Sequence, residues 1–189
     1  MSFVSVVVSE KFITVMSDGM QSIEVDGKFI ELSSDYKKFK KISEKQFIAF
    51  TGSAEICTNI ANKYKFKYES YNLEEVVLEI QQELLQYPRS ETKNQFIVGG
   101  IQNGKILAYT IKNDGEGPKL VDSENGIQLV HMAGNHLQNK VERNLIKTFD
   151  KYLKQVNYNS IIAQTMLNNL VADNDPTVNK NVRHLVIEL

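Results

Sequence analysis

The sequence predicts an α+β fold. The expected form is a four-layer αββα sandwich, with two stacked, mainly antiparallel sheets flanked by a helix pair on each outer side. Three observations point to it. The hydrophobic period along the 189 residues runs strands, two helices, strands, two helices, strand. That grouping is not the strand–helix alternation of a parallel sheet; paired helices suit the faces of antiparallel sheets. The first strand, "FVSVVV", is almost continuously apolar, as a strand covered on both faces must be. No repeat, low-complexity tract or linker interrupts the chain, so one domain spans residues 1–189.

Each element has a local reason. Ser2 to Ser9 and Phe12 to Ser17 read as strands around a tight Glu10-Lys11 turn. "QSIEVDGKFIEL" is two alternating runs about Asp26-Gly27, a strong two-residue hairpin signal. "KKFKKIS" and "QFIAF" follow as short strands. Ser53 to Lys67 and Leu73 to Tyr87 carry apolar residues at helical spacing, with Pro88 stopping the second. Strands return at "QFIVGGI", "KILAYTI", "KLVDS" and "IQLVHMA", separated by Asn103-Gly104 and "NDGEGP". Helices are expected over His136 to Val156 and Ser160 to Val171, and "VRHLVIEL" closes the chain as a strand.

Composition narrows the function. A net charge of -1 argues against nucleic acid or an anionic membrane as partner. The basic stretch "YKKFKKISEK" reads as a solvated strand face. One cysteine, Cys57, sits among apolar residues in a helical pattern, which reads as a buried inert thiol in a reducing compartment. No run approaches a membrane span, and Glu10 and Lys11 interrupt any signal-peptide pattern, so a soluble cytoplasmic protein is expected. His131, His136 and His184 lie without a Cys or carboxylate cluster at ligand spacing. No metal or other cofactor is therefore expected.

Several short motifs remain. Ser2 is followed sixteen residues on by Asp18-Gly19. Lys38-Phe39-Lys40-Lys41-Ile42 follows in a strand, and Gly52 of "AFTGSAE" stands fourteen residues beyond Lys38. Gly134-Asn135-His136 opens the third helix, and Asp175 begins "DPTVN". Taken singly these are a hairpin turn, a strand lysine, a helix-entry glycine and a common second residue. Their joint spacing and the element order resemble the proteasome β-type subunits, specifically the HslV-like peptidases among the N-terminal nucleophile hydrolases. In element order the resemblance covers essentially the whole chain.

The resemblance implies a hydrolase of peptide or amide bonds. Ser2, exposed by removal of Met1, is the nucleophile, and its own α-amine is the general base. A free α-amine has a reference pKa of about 7.7–8.0, near the working range of a base. Lys38 supplies positive charge beside Ser2, Asp18 orients that lysine, and the Gly52 N–H donates to the oxyanion. Asn135 stands where the family has a serine near the nucleophile. Asp175 keeps its place, while Val178 replaces the serine three residues on and Thr177 offers a nearby hydroxyl. The resemblance also implies a homo-oligomer, with rings and an ATP-dependent unfoldase as partner, although no feature of the sequence carries either. Two other readings stand beside this one: a non-catalytic assembly or binding subunit, and a small-molecule amidase.

Overall fold

The computed structural model describes residues 2–88, 93–123, 126–134 and 136–189. Two strands open the chain, β1 (Phe3–Val8) and β2 (Phe12–Asp18), paired antiparallel. Their turn is closed by Ser9, whose Oγ accepts the Phe12 N–H at 3.0 Å. A separate ribbon follows, β3 (Gln21–Val25) and β4 (Lys28–Ser33). Its Asp26-Gly27 turn has φ of +51° and +73°, the left-handed pair that a two-residue hairpin of this hand requires.

Next come β5 (Phe39–Ser43) and β6 (Gln46–Thr51), then α1 (Ala54–Ala61) and α2 (Leu73–Leu84). After them run β7 (Gln95–Gln102), β8 (Lys105–Lys112), β9 (Lys119–Val121) and β10 (Gln128–Ala133). The last elements are α3 (Asn139–Glu142), α4 (Leu145–Gln155), α5 (Ser160–Ala172) and β11 (Val182–Glu188). Strands β5 to β9 form a five-stranded meander in chain order, and the other sheet runs β10-β1-β2-β11. The pairings among the described strands are antiparallel.

Three apolar clusters explain the strand patterns. Val4, Val6, Val8 and Val15 meet Phe47, Ala49, Ile97 and Ala108 between the two sheets. Ile48, Phe50, Phe96 and Val98 pack against Cys57, Ile60, Val76 and Ile80 of α1 and α2. Phe3 and Val7 pack against Phe149 and Leu153 of α4 and Ala163 and Leu167 of α5. Alternate residues of β1 and β6 thus enter different clusters, so these strands need no polar face. Burying each such side chain is worth about 1.5–3 kcal/mol.

Ser5 is the polar interruption in β1, and it is fully buried. Gln164 of α5 donates through Nε2 to the Ser5 carbonyl at 3.0 Å and to Ser5 Oγ at 3.1 Å. Thr14 Oγ1 in turn donates to Gln164 Oε1 at 2.6 Å. One glutamine therefore satisfies two neighbouring strands.

Three expectations are corrected. The first helix ends at Ala61 rather than Lys67, because the chain beyond it bonds back to the sheet. The Lys67 N–H donates to Ile42 O at 3.1 Å and the Tyr71 N–H to Gln46 Oε1 at 2.7 Å. The single helix expected over His136 to Val156 is two, α3 and α4, broken at Asn144. Asn144 has φ −104° and ψ 0°, and its Nδ2 donates to Lys140 O at 2.7 Å, a side-chain contact that competes with the helical ladder. The basic run is no uniformly solvated face either, since Lys38 is 1% exposed.

Replacing Gln164 with Leu tests the β1–β2–α5 junction. It leaves the Thr14 hydroxyl and Ser5 Oγ without the partner that Gln164 supplies. Denaturant unfolding is expected to show a loss of about 2 kcal/mol or more, at 1–3 kcal/mol for each buried unsatisfied group.

Candidate active site

Strand β2 ends in Asp18, whose side chain is wholly buried. Its Oδ1 accepts the Phe3 N–H at 2.7 Å, and its Oδ2 accepts the Met20 N–H at 2.9 Å. The carboxylate thus fixes the backbone directly after Ser2 and the turn into β3. Lys38 Nζ lies 2.6 Å from Asp18 Oδ2. The two form a buried ion pair at hydrogen-bond distance, and the Asp18 carboxylate accepts from the ammonium.

Lys38 is held from its backbone as well. The Phe50 N–H donates to its carbonyl at 2.9 Å, and two residues earlier the Tyr36 N–H donates to Gly19 O at 2.7 Å. Burial pushes the Lys38 ammonium below the ordinary lysine value; the Asp18 carboxylate opposes that shift, with a smaller push from Asp175.

Ser2 precedes β1 and is 8% exposed. It shares a cleft of about 180 Å³ with Lys38, Thr51 and Gly52, walled further by Tyr36 and Ser22. The three sequence-predicted residues Ser2, Lys38 and Gly52 therefore meet at one cavity, with Asp18 behind the lysine.

Gly52 joins β6 to α1 with φ +128°, a region that disfavours any side chain. A Cβ there would stand 2.4 Å from Asn94 Oδ1 and 2.6 Å from Lys93 O. The same Asn94 Oδ1 accepts the Ser53 N–H at 2.9 Å, and Ser53 Oγ caps α1 by accepting from Ile56 N at 3.4 Å. The peptide around Gly52 is consequently fixed from both sides.

Asp175 is 1% exposed, and its Oδ1 accepts the Thr177 N–H at 2.9 Å and the Thr177 hydroxyl at 2.6 Å. The hydroxyl of Thr177 is thus committed to Asp175. Val178 packs in the apolar cluster with Phe3 and Phe149. Asn135 lies outside the described residues. Cys57 is buried, its thiol 3.5 Å from Thr51 O, and desolvation pushes its pKa up to about 12, which makes it inert.

Sequence reasoning missed several supports. Asn179 Oδ1 accepts the Gly19 N–H at 3.0 Å while its Nδ2 donates to Ser34 O at 3.1 Å. It ties the Asp18-Gly19 turn to the segment bearing Asp175. Asn94 supports Gly52, and Thr51 lines the cleft itself. These contacts span 41 residues for Asn94 and 160 for Asn179, so no local pattern announces them.

Among the described residues no group of three or more His, Cys, Asp or Glu side chains could hold a metal ion. No described helix is long and apolar enough to cross a membrane.

No family model matches the chain, and no curated protein matches it. A solved structure does: the crystal structure of eukaryotic HslV from Trypanosoma brucei, with a TM-score of 0.60 over 99% of each chain and 14% identity. The likeness establishes an HslV-like fold.

Titration tests the buried lysine. Because its folded-state pKa is depressed, the unfolded chain binds the extra proton between that value and the ordinary 10.5. Stability therefore rises with pH across this window. Relative to Lys38→Met, the wild type is expected to gain unfolding free energy as pH climbs toward 10.5; a pH-independent difference contradicts it.

Proposed function

We propose that the protein is an N-terminal nucleophile hydrolase cleaving peptide or amide bonds, with Ser2 as nucleophile once Met1 is removed. The observation that carries the reading is the single cleft shared by Ser2, Lys38 and Gly52, with the buried Asp18 carboxylate behind the lysine. A serine hydroxyl needs a base, and the α-amine of the same residue is the nearest one available.

In this mechanism the amine takes the Oγ proton as Oγ bonds to the substrate carbonyl carbon, and the carbonyl electron pair moves onto oxygen. The Gly52 N–H donates to that oxyanion; one such donor is worth about 3 kcal/mol of transition-state stabilisation. The resulting ammonium returns its proton to the leaving amine as the C–N bond breaks, leaving an ester on Ser2. A water then attacks the ester carbon and gives a proton to the amine. The ammonium returns that proton to Ser2 Oγ as the C–Oγ bond breaks, which releases the acid product and restores the free hydroxyl and amine. Lys38 favours the neutral amine by charge repulsion, and Asp18 keeps Lys38 protonated. Asp175 adds negative potential beside the lysine.

The three apolar clusters support a four-layer αββα sandwich forming a single domain over residues 1–189. We read the protein as soluble and cytoplasmic, working as a homo-oligomer, with a ring and an unfoldase partner drawn by analogy with HslV-like peptidases. No metal or other cofactor enters the mechanism. A second reading, a non-catalytic assembly subunit, draws on Val178, whose methyl groups occupy the apolar cluster and offer the cleft no hydroxyl.

Ser2→Ala separates the two. The first reading expects turnover of peptide and amide substrates and labelling by a serine-directed electrophile in the wild type. Both should disappear in the folded variant. Activity retained in Ser2→Ala contradicts it, and an unlabelled, inactive wild type with a free Ser2 amine favours the second reading.

A further inference from the structure

Apart from Lys38 Nζ, which is ion-paired with Asp18, a few buried side-chain polar atoms lack a hydrogen-bond partner among the described residues. Those of Gln81, His136 and Asn168 belong to residues that do not line the Ser2 cleft; the others are Thr51 Oγ1, Ser22 Oγ, Ser17 Oγ and Asp175 Oδ2. Lys38, Thr51 and Ser22 line the cleft that holds Ser2; Ser17 adjoins Asp18, and Asp175 acts electrostatically on Lys38. An orphaned buried hydroxyl is costly, so each of these atoms asks for a partner that folding alone does not supply.

Thr51 is the most constrained of them. It is 3% exposed, so water cannot easily replace a missing partner, whereas Ser22 is only half-buried on the β3–β4 ribbon. Ser17 is buried but does not line the cleft. Thr51 ends β6 on the face carrying Phe47 and Ala49, which is the face turned toward β1 and its Val4 and Val6. Its carbonyl is engaged by Cys57 and its neighbour Gly52 is sterically fixed, so the backbone that carries the hydroxyl is held in place.

We propose that Thr51 is a positioning residue whose hydroxyl oxygen accepts an N–H of the freed Ser2 α-amine. The inference rests on the Ser2 reading above. An amine acting as base must aim its lone pair at Oγ, and an acceptor for one of its N–H bonds sets that rotation. Thr51 Oγ1 is a buried, uncommitted acceptor in the wall of the same cleft. The other titratable or charged groups around the amine are Lys38 and Tyr36 in the cleft wall, with Asp18 and Asp175 beside the lysine. Lys38 has no acceptor to offer, and the Tyr36 hydroxyl is engaged with Thr58 Oγ1 at 2.5 Å.

An acceptor stabilises the protonated amine more than the neutral one, so removing it lowers the amine pKa. For a hydrogen bond to a charged group the shift is about one pH unit. Thr51→Val keeps the branched shape and the strand propensity while deleting the hydroxyl, and Thr51→Ser restores it.

The experiment uses the mature protein with Ser2 exposed. The pH dependence of acetic anhydride acylation at the Ser2 amine, read by mass spectrometry of the N-terminal peptide, gives the amine pKa without requiring turnover. Thr51→Val is expected to lower it by about one unit, and Thr51→Ser to restore it. In parallel the acid limb of kcat/KM should move to lower pH, with kcat down about tenfold and KM unchanged. A folded Thr51→Val protein with the wild-type amine pKa overturns the proposal. So does a rise in KM at unchanged kcat, which would assign the hydroxyl to substrate binding. If the amine pKa shifts but the wild type hydrolyses nothing, the Thr51 contact stands and the hydrolase reading falls.

Discussion

The arrangement around the cleft hangs on one buried ion pair. Asp18 and Lys38 are 0% and 1% exposed and 2.6 Å apart. Removing two charges from water costs several kcal/mol per ion, and the attraction between them only roughly repays that. Apolar residues of similar volume would often stabilise such a position more. The pair is therefore poorly explained as a device for stability. Its carboxylate does more than neutralise the lysine: it receives the backbone N–H groups of Phe3 and Met20. One side chain thus fixes where β1 starts and where the chain leaves β2, while pointing a cation into the cleft.

Around that pair the rest of the fold acts as a clamp. The face of β1 carrying Val4 and Val6 meets the second sheet, and the face carrying Phe3 and Val7 meets α4 and α5. Ser2, at the head of this strand, inherits its rigidity. On the opposite sheet, β6 delivers Thr51 and Gly52 to the same cavity, and Asn94 holds the turn that follows. The last segment closes the arrangement through Asn179, which bridges Gly19 and Ser34. Residues from both ends of the chain and from both sheets converge, so the cleft exists only in the folded protein.

Much of this was legible beforehand because its physics is local. The apolar run of β1 announced a strand covered on both faces, and Asp26-Gly27 announced a hairpin. The order of elements pointed to paired helices on antiparallel sheets. What escaped was nonlocal or competitive. The early end of α1 depends on Gln46 and Ile42 capturing the backbone of residues 67–71. The break before α4 depends on one asparagine side chain competing with a helical bond. Composition alone assigns the run of lysines around Lys38 to solvent; the family resemblance, not the local pattern, singled this lysine out, and its ion pair with the distant Asp18 makes its burial tolerable. Thr51 and Asn179 carry no motif, since their significance lies in which partners they face or lack.

The central claim is that Ser2 acts with its own amine, and that amine exists only if Ser2 is the mature N-terminus. The most direct test is the intact mass of the untagged protein purified from its own host, with sequencing of its first residues. The account predicts a chain that begins at Ser2 with an unblocked amine. A mature, assembled protein that retains Met1, or carries a modified Ser2 amine, has no base at this position and contradicts it.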